Sequence, residues 1–564
     1  MANPAQMFGD PTTAIGGHIV GHACLTGDSL IQLGDGRISE IMAITEGNKV
    51  LSGDFDKMKI ENSENEKLFV NPNIKEVYEI KTNSQINCSA LHRFFSIDNF
   101  LVVEKEAKEL KKGDFIAQVR KIDIEGEERA IPSFRVKRIG GISRKSSEQI
   151  KKKFEDEKIA RKEICKKIGI NQRQLRRVLN QEYPTSFEVL DNLQNYFAGE
   201  QVLQIIPVVS HKHRDLIMPQ FLSPNLAQIF GYFWGDGNLE QRGMRFRDSR
   251  IDVLNHYNGL FKKVFNLSGN ITKVKEKNCY SLSINSEDIA NLFEFMLPVL
   301  LDEIGRSKTD VVLAFIRGFF DAEGHVNTKG AYLSVVQKKR EILRYLHLFL
   351  LRAGIRSTIK FDIGKKKMNV LRIIDKDVRN YLQVGFTAFD KQKILVDATK
   401  NLENKYSYEM MPIRRKELRS ILEVVGFNYS KIIKSRPASY EWVNRKELEN
   451  ALNVLMNKSI QDRQLKQKIE FIFKLLNGDI SFEKIRGIDV SHNNCSLLYD
   501  FSVPKNENYT ANGFIVHNST YRLYLRRGKA GSRVAKMIDS PNLPDNETIF
   551  FVTEAGVVDG KVEE

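Results

Sequence analysis

Residues 24–37 read CLTGDSLIQLGDGR, and the segment 512–519 near the other end of the chain reads NGFIVHNS. In the first segment apolar residues flank Gly34-Asp35-Gly36, a pattern typical of two β-strands joined by a hairpin turn. Between the two segments, residues 89–92 read SALH. A lone cysteine is most often a small buried side chain, and His-Asn-Ser is common in loops. The information lies in the order of the three segments.

Together these segments resemble the splicing motifs of inteins, which have the hedgehog/intein (Hint) fold. The resemblance implies that residues 24–518 excise themselves and that Ala23 is joined to Ser519. The thiolate of Cys24 would attack the carbonyl of Ala23, because Cys is the most nucleophilic side chain near neutral pH. Asn518 would later cyclise and cut the chain before Ser519. The implied splicing residues are Cys24, Ser89, His92, Asp500, His517, Asn518 and Ser519.

The resemblance also implies a role for each of the other splicing residues. His92 would protonate the departing amide nitrogen, and Ser89 would keep the scissile bond polarised. The Ser519 hydroxyl would take over the upstream segment as an ester, with His517 as proton donor in the final cleavage. Asp500 would couple the two ends. Many inteins have a further His before the last strand; Glu507 stands in the corresponding place, and its carboxylate is a candidate base.

The flanks form one motif when residues 24–518 are removed. GGHIVGHA (16–23) then runs into STYRLYLR (519–526), and the joined string resembles the archaeal RadA recombinase family. The resemblance implies that 1–23 and 519–564 are fragments of an α/β recombinase. No G-x-x-x-x-G-K-[ST] phosphate loop occurs in the chain. ATP would therefore bind only the complete recombinase, whose missing portion and oligomer are the expected partners after splicing.

A splicing domain needs only about 130–150 residues, and two further segments suggest what the remainder does. Residues 229–237 read IFGYFWGDG, and residues 316–324 read IRGFFDAEG. Each predicts an apolar helix with small residues four apart, which lets two helix backbones come close. Gly237 and Gly324 are candidate C-terminal caps. Asp236 and Glu323 would then lie at negative helix ends, where a divalent cation would compensate their charge.

This pair resembles the LAGLIDADG (DOD-type) motifs of homing endonucleases, with Asp236 and Glu323 at the position of the catalytic acids. The resemblance implies that the two acids hold Mg²⁺ and that the chain cuts both strands of DNA. The family often has lysines near this site, which makes Lys308, Lys391 and Lys393 candidates. Solvated surface lysines are an equally good interpretation, and a helix–helix core with capping acids remains an alternative for the pair.

A third element precedes these motifs. Residues 160–179 predict a helix, a glycine turn and a second helix, with Ile164, Ile168, Leu175, Val178 and Leu179 facing inwards. The outer face of the second helix suits the DNA major groove and carries Gln172, Arg173, Arg176 and Arg177. Basic amphipathic helices are common, so a packing role is the alternative. For the lysine-rich residues 396–480, a second DNA-contacting region and a packing scaffold are equally open.

Composition limits the class of protein. The 564 residues carry a formal net charge of +16, which points to a polyanionic partner such as nucleic acid. Five cysteines without a CxxC argue against a disulfide framework and a four-cysteine zinc site. No apolar run reaches the ~18 residues of a membrane span, and residues 1–23 lack the basic start of a signal peptide. We therefore expect a cytoplasmic archaeal protein that meets double-stranded DNA, with the intein-free recombinase allele as target, and no membrane.

The expected fold class is multidomain: an all-β Hint domain split by an α+β endonuclease and a helical DNA-binding region, with α/β recombinase flanks. The predicted domains are 1–23 (flank), 24–137 (Hint, first part), 138–200 (helix-turn-helix), 201–395 (LAGLIDADG endonuclease), 396–480 (helical basic region), 481–518 (Hint, second part) and 519–564 (flank). Two competing functions remain at this stage. One is a splicing element whose inactive nuclease only binds DNA, and the other is a recombinational DNA-binding subunit that is never excised.

Overall fold

The computed structural model of the chain describes residues 16–20, 24–66, 68–72, 76–131, 141–156, 161–180, 185, 187–197, 205–206, 216–240, 242–275, 278–327, 332–400, 409–433, 441–492, 497–518, 522–527, 532–539, 547–553 and 556–559. The chain folds into two compact units. One comprises 1–124, 327–381 and 398–564, and the other comprises 125–326 and 382–397. Among the described residues no helix is long and apolar enough to cross a bilayer.

The first part of the chain is built from β-strands. They are β1 Gly16–Val20, β2 Leu25–Thr26, β3 Leu30–Gln32, β4 Ile38–Glu40, β5 Lys49–Asp54, β6 Lys59–Glu64, β7 Leu68–Pro72, β8 Val77–Lys81, β9 Gln85–Ser89, β10 Arg93–Asp98, β11 Leu101–Glu106 and β12 Phe115–Val119, with 3-10 turns at Ile41–Ala43 and Ala107–Glu109. The predicted hairpin is confirmed: β3 pairs antiparallel with β4, and Gly36 in the turn has φ +91°. Only glycine adopts that conformation without strain.

A small helical bundle follows, with strands β13 Gly141–Ile142 and β14 Ile205–Ile206 and helices α1 Arg144–Asp156, α2 Arg161–Ile168, α3 Gln172–Leu179 and α4 Phe187–Phe197. Between α2 and α3 the chain turns at Gly169, whose φ is +75°. Asn171 caps α3 by accepting a hydrogen bond from the Gln174 N–H at 2.8 Å. All five apolar residues predicted to face inwards are buried in one core. The predicted helix–turn–helix is therefore confirmed as local structure.

Two segments with the same order of elements come next. The first comprises α5 Pro224–Asp236, β15 Gly237–Glu240, β16 Gly243–Asp248, α6 Ile251–Phe265, β17 Asn270–Lys273, β18 Tyr280–Ile284, α7 Glu287–Met296 and α8 Leu300–Arg306. The second comprises α9 Thr309–Glu323, β19 His325–Asn327, β20 Tyr332–Gln337, α10 Arg340–Leu351, β21 Thr358–Ile363, β22 Met368–Ile374, α11 Lys376–Asn380 and a 3-10 turn at Tyr381–Gln383. Each begins with helix, two strands, helix, two strands and helix, so the sequence repeat extends to the order of secondary structure.

The lysine-rich region contains strands as well as the predicted helices. Its elements are α12 Phe389–Lys400, β23 Met410–Arg414, α13 Arg415–Val424, α14 Tyr429–Ile432, β24 Trp442–Asn444, α15 Arg445–Leu455 and α16 Arg463–Asn477. The sequence Arg-Lys-Glu-Leu occurs at 415–418 and again at 445–448, each time directly after a strand. In both copies the Glu side chain accepts a hydrogen bond from the backbone N–H of the residue before the helix. Strands β23 and β24 pair with each other. The region thus contains a duplicated strand–helix unit.

The last strands complete the sheets begun by the first. They are β25 Ile480–Lys484, β26 Gly487–Ser491, β27 Leu497–Phe501, β28 Asn508–Ala511, β29 Phe514–His517, β30 Arg522–Arg527, β31 Arg533–Asp539, β32 Glu547–Thr553 and β33 Gly556–Asp559. One sheet has the order β11-β10-β29-β28-β3-β4, with β12 joining β29 and β25, and the other β26-β8-β9-β2-β27-β7. Residues 480–517 therefore share their sheets and apolar core with residues 25–119. Two segments distant in sequence form one fold.

The flanks pair with each other. Strand β1 lies beside β30 in the antiparallel sheet β1-β30-β31-β32-β33. The described flank residues contain strands alone, so the α/β character predicted for the flanks is not found there. Antiparallel strands can be joined by short turns, whereas a parallel α/β sheet needs a longer crossover between strands.

Candidate splicing and nuclease sites

The N-terminal junction is held by reciprocal hydrogen bonds between Cys24, directly before β2, and Ser89, the last residue of β9. The backbone N–H of Cys24 donates to the Ser89 hydroxyl at 3.1 Å, and the Ser89 N–H donates to the Cys24 carbonyl at 2.9 Å. His92 is fully buried and packs edge-on against Phe94, with ring centroids 5.3 Å apart. The backbone N–H of His92 donates to the Ser89 carbonyl. The structure thus brings Ser89 onto the backbone at Cys24 and places His92 in the adjoining turn.

Asp500 has a partner that the sequence did not suggest. Its carboxylate is fully buried and accepts hydrogen bonds from the Tyr509 hydroxyl at 2.7 Å and the Phe501 N–H at 2.8 Å. Burial raises the pKa of Tyr509 well above its usual value, and the charge of Asp500 and the neighbouring Cys24 act in the same direction. Tyr509 therefore stays protonated and links Asp500 on β27 to β28, close to the Cys24 thiol.

The C-terminal junction is equally enclosed. The Asn518 N–H donates to the Glu507 carbonyl at 3.0 Å. The Asn518 side-chain amide takes the orientation that satisfies both of its neighbours. Its nitrogen donates to the Glu507 carbonyl and its oxygen accepts from the Val503 N–H, both at 2.8 Å. His517 Nδ1 lies 2.7 Å from the Asn518 carbonyl oxygen, and its Nε2 lies 3.4 Å from a Glu104 carboxylate oxygen. The Asn518 side chain is therefore held by main-chain partners, and its carbonyl oxygen lies against the His517 ring.

Two electrostatic features mark this junction. Burial alone would lower the pKa of His517, but hydrogen bonds to Glu104 and to the Asn518 carbonyl raise it above its usual value. Glu507, whose φ is +52°, contacts Asn518 through its main-chain carbonyl. Its charge also raises the pKa of His517. Glu507 therefore contributes a backbone acceptor to Asn518, which the expectation of a carboxylate base did not include. Ser519 lies outside the described residues.

The two apolar helices pack with their backbones in direct contact, as the spacing of small residues predicts. A Cβ added to Gly231 of α5 would lie 2.1 Å from the Phe315 carbonyl oxygen of α9. One added to Gly318 would lie 2.0 Å from the Gln228 carbonyl oxygen. These distances leave room only for hydrogen. The small-residue face predicted from the sequence is therefore confirmed.

The acids lie at the C-terminal ends of this helix pair. Asp236 is the last residue of α5, and Glu323 is the last residue of α9. A Cβ added to Gly235 would lie 3.1 Å from the Glu323 Cγ, which places Glu323 beside the last turn of α5. Desolvation by the surrounding protein and the charge of Asp248 raise the pKa of Asp236, although Lys391 and Arg250 act in the opposite direction.

Both helices end at the predicted capping glycines, but for a different reason from the one expected. Gly237 has φ −83° and Gly324 has φ −73°, so neither is left-handed. A Cβ would lie 2.6 Å from the Phe233 carbonyl oxygen at the first position and 2.4 Å from the Phe320 carbonyl oxygen at the second. Lack of space, rather than backbone conformation, requires glycine there.

A buried polar cluster supports this end of the helix pair. Asp321 is fully buried and accepts hydrogen bonds from the Tyr257 hydroxyl at 2.6 Å and the Thr387 N–H at 2.8 Å. Lys391 donates to the Asp321 carbonyl at 2.9 Å. Burial lowers the pKa of Lys391 to about 8, and Arg250 lowers it in the same direction. Asp321 was not among the residues predicted from the sequence, although it is a second acid within the motif FFDAEG.

The other predicted lysines are placed differently. Lys393 is exposed on α12. Lys308 is the N-cap of α9, at the opposite end of a 15-residue helix from Glu323. A helix of that length spans about 22 Å, so the structure does not bring Lys308 to the acids.

The helix–turn–helix presents the expected side chains to solvent. Gln172, Arg173 and Arg176 are exposed on α3, and Arg177 is partly buried. Their spacing places them opposite the buried Leu175, Val178 and Leu179. This face is therefore available for a nucleic-acid contact.

The donor set at the helix ends fits a divalent cation of the magnesium type. Hard cations prefer carboxylate oxygens, often with only one or two carboxylates from the protein. Asp236 and Glu323 supply two such groups at the negative ends of two helices. No group of three or more His, Cys, Asp or Glu side chains suited to a metal occurs among the described residues.

Comparison with known families places the chain. The intein splicing domain model matches residues 31–518, and the chain belongs to this family. The Rad51 family model matches residues 501–560, so the chain contains a Rad51/RadA-like region that includes most of the downstream flank.

Among curated relatives, glutamine–fructose-6-phosphate aminotransferase of Methanocaldococcus jannaschii is 28% identical over 523 residues, covering 89% of this chain and 46% of the relative. The DNA repair and recombination protein RadA of Methanocorpusculum labreanum is 28% identical over 168 residues, covering 30% of this chain and 42% of the relative. The chain spans less than half the length of the curated relatives that it matches.

Solved structures similar to this chain include mesophilic variants of the homing endonuclease I-DmoI, at 22% identity, 29% coverage of this chain, 90% of that chain and a TM-score of 0.25. An Ssp DnaB mini-intein variant is 29% identical, covering 18% of this chain and 63% of that chain with a TM-score of 0.16.

Proposed function

We propose that residues 24–518 excise themselves and join Ala23 to Ser519. The observation that carries this proposal is that both ends of the segment are buried in one β fold. Cys24 has no exposed surface and Asn518 is 4% exposed. In both sheets, strands from 480–517 are hydrogen-bonded to strands from 25–119. An ordinary insertion would leave its ends at the surface, whereas a reaction between the ends requires them to be enclosed and positioned.

The first step is an acyl shift at Cys24. Its sulfur attacks the Ala23 carbonyl carbon, the peptide bond to the Cys24 nitrogen breaks, and that nitrogen takes up a proton. The Ser89 hydroxyl, which accepts a hydrogen bond from the Cys24 N–H at 3.1 Å, aligns the bond to be broken. His92 supplies the proton to the leaving nitrogen. The product is a thioester whose amine is free.

The later steps join the flanks and release the segment. The Ser519 hydroxyl attacks the thioester, expels the Cys24 thiol and carries the upstream flank as an ester. The Asn518 side-chain nitrogen then attacks its own carbonyl carbon, losing a proton, while the Ser519 nitrogen leaves and gains one. The Asn518 side chain is held for this attack by Glu507 and Val503. The ester finally rearranges to an amide.

Two variants test the junction chemistry. Cys24→Ala with Asn518→Ala should leave an intact precursor on a denaturing gel, because neither end can react. Cys24→Ala alone should show cleavage only before Ser519. Joined flanks in either variant would refute the assigned nucleophile. A parent chain that persists uncleaved would favour a recombinational subunit that is never excised.

We infer that the helix pair carries a site-specific DNA endonuclease. Asp236 and Glu323 would hold Mg²⁺, which when bound supplies charge stabilisation and water activation for phosphodiester hydrolysis. Burial and the charge of Asp248 raise the pKa of Asp236 because they destabilise its carboxylate, and a bound cation would offset that destabilisation. Lys391 is directed at the same helix ends by its hydrogen bond to the Asp321 carbonyl. The bundle of α1–α4 would place Gln172, Arg173, Arg176 and Arg177 on double-stranded DNA, with Lys308 and Lys393 as further phosphate contacts.

Asp236→Asn separates nuclease from splicing activity. It removes a charge with little change of shape, so DNA cleavage should fall by orders of magnitude while excision continues at its normal rate. The assay is cleavage of supercoiled plasmid carrying the uninterrupted recombinase sequence, with Mg²⁺. Glu294→Gln, an exposed acid on α7, is the matched control. A parent protein that binds this plasmid without cutting it would establish the alternative, a DNA-binding element with an inactive nuclease.

The flanks fit a recombinase of the Rad51 class, and we propose that splicing restores part of one. The chain has no phosphate loop, so ATP would bind only the complete recombinase. Its partners would be the remaining recombinase portion and the recombinase oligomer.

A further inference from the structure

His517 and Glu104 lie on strands that flank β10 in the same sheet, in the order β11-β10-β29. Phe95 of β10 is directly opposite Glu104 of β11. The His517 ring stacks on Phe95, with centroids 5.7 Å apart and planes 29° from parallel. Glu104 also accepts a hydrogen bond from Arg93 at 3.1 Å. The ring is therefore supported on one face by an aromatic side chain and at one edge by an anchored carboxylate.

The two ring nitrogens face two acceptors. Nε2 lies 3.4 Å from the Glu104 carboxylate, and Nδ1 lies 2.7 Å from the Asn518 carbonyl oxygen. A neutral imidazole has one N–H and can satisfy only one of these acceptors, whereas the imidazolium donates to both. The arrangement therefore favours the doubly protonated ring.

We propose that Glu104 is a positioning residue for the C-terminal cleavage, which holds His517 with its Nδ1 proton directed at the Asn518 carbonyl oxygen. This inference rests on the proposed splicing function. During cyclisation, negative charge develops on that oxygen as the Asn518 side-chain nitrogen attacks the carbonyl carbon. A donor already aimed at the oxygen stabilises the transition state without reorganisation. As the bond to Ser519 breaks, the Ser519 nitrogen gains the proton that the side-chain nitrogen loses.

The charged groups around His517 set the pH range of this step. They are Glu104 on β11, Arg93 on β10 and Glu507 before β28. Burial lowers the pKa of His517, and the carboxylates raise it. Conversely, the hydrogen bond to His517 lowers the pKa of Glu104, so the carboxylate remains charged. Without the Glu104 charge, the effect of burial would dominate and the pKa of His517 would be lower. The protonated ring would then form only at lower pH.

The test uses the full chain with Cys24→Ala, in which only cleavage before Ser519 can occur. The rate of this cleavage is measured from pH 5 to pH 9 with and without Glu104→Gln. We expect the rate at pH 7.5 to fall about tenfold, the effect of one charge-assisted hydrogen bond. The falling limb of the pH profile should move to lower pH, and the rate at pH 5 should approach that of the parent. Asp98→Asn, an exposed acid on the same hairpin, is the matched control and should leave the profile unchanged.

A second measurement separates positioning from folding. In the full chain with Asn518→Ala, thiol-induced cleavage at Cys24 reports the N-terminal step alone, and Glu104→Gln should not change its rate. An unchanged pH profile for Glu104→Gln, or equal loss of the N-terminal step, would overturn the inference while leaving the splicing proposal intact. Absence of any cleavage before Ser519 in the Cys24→Ala parent would overturn the splicing proposal, and the inference with it.

Discussion

The contact between α5 and α9 gives a prediction whose size follows from the structure. A Cβ at Gly318 would lie 2.0 Å from the Gln228 carbonyl oxygen and 2.8 Å from the Tyr232 backbone nitrogen. Ordinary contacts begin at 3.4 Å, so Gly318→Ala must separate the helices locally by about 1.4 Å. Both obstructing atoms belong to the backbone, which a side-chain rotation cannot move. The strain is therefore transmitted to the helix ends that carry Asp236 and Glu323.

Two opposing energies set the change in stability. Replacing glycine by alanine within a helix stabilises the fold by about 0.5–1 kcal/mol. Overpacking of a tight core destabilises it by about 1–3 kcal/mol. We expect Gly318→Ala to lower the free energy of unfolding by about 1–2 kcal/mol. Misplacing reacting groups by about 1 Å costs roughly a hundredfold in rate, so DNA cleavage should fall about a hundredfold. Excision should be unaffected, because its residues lie on other elements.

Gly259→Ala is the matched control. Gly259 is an exposed residue within α6, and an added Cβ would have no neighbour within 4 Å. This variant should be about 0.5–1 kcal/mol more stable than the parent and should cut DNA normally. Urea unfolding, plasmid cleavage and the yield of excised protein are measured on all three proteins. If Gly318→Ala unfolds at the same urea concentration as Gly259→Ala and cuts DNA at the same rate, the two helices are not in direct backbone contact at Gly318.

Three further predictions concern charges in other parts of the fold. Glu409→Gln should lower the free energy of unfolding at pH 7 by about 3–5 kcal/mol, because one buried carboxylate is shared by four cations, Arg120, Arg356, Lys376 and Arg445. Arg356 and neighbouring cations outweigh burial and hold the pKa of Glu409 below the usual 4.5, so this difference should shrink in urea titrations below pH 4.5; a constant difference would contradict the assignment. Burial lowers the pKa of His347 to about 4. As the pH falls below 6.5, this histidine therefore binds a proton in the unfolded chain but not in the folded one, which favours unfolding. In the parent, the free energy of unfolding should therefore fall by about 3 kcal/mol between pH 6.5 and pH 4, and His347→Gln should remove this fall. Thermal unfolding measures both proteins, and an equally steep fall in the variant would refute the role of His347. Arg176→Ala should weaken DNA binding equally for all sequences and reduce the slope of log K against log salt by about 1 in an anisotropy titration; a sequence-specific loss would instead indicate base contact.

The pattern of local elements was predictable because it depends on neighbours in sequence. The Gly36 hairpin, the Gly169 turn and the small-residue face of α5 and α9 each follow from residues a few positions apart. The duplicated strand–helix unit at 410–455 was missed, although its Arg-Lys-Glu-Leu repeat stands in the sequence. Its strands have only five and three residues, and the first contains Pro412, so the alternation that predicts β-structure is too short to recognise.

The chemistry at the ends of the segment follows from the order of residues along the chain. Cys24, His517 and Asn518 are reactive residue types in a fixed order, and that order can be read without a fold. The partners of these residues come from the folded sheets. Glu104 meets His517, and Tyr509 meets Asp500, across strands whose pairing depends on the whole apolar core. A period-two pattern shows which face of a strand is buried, but it does not show which strand lies beside it. Long-range pairing therefore sets the environment of reactive groups that local sequence already identifies.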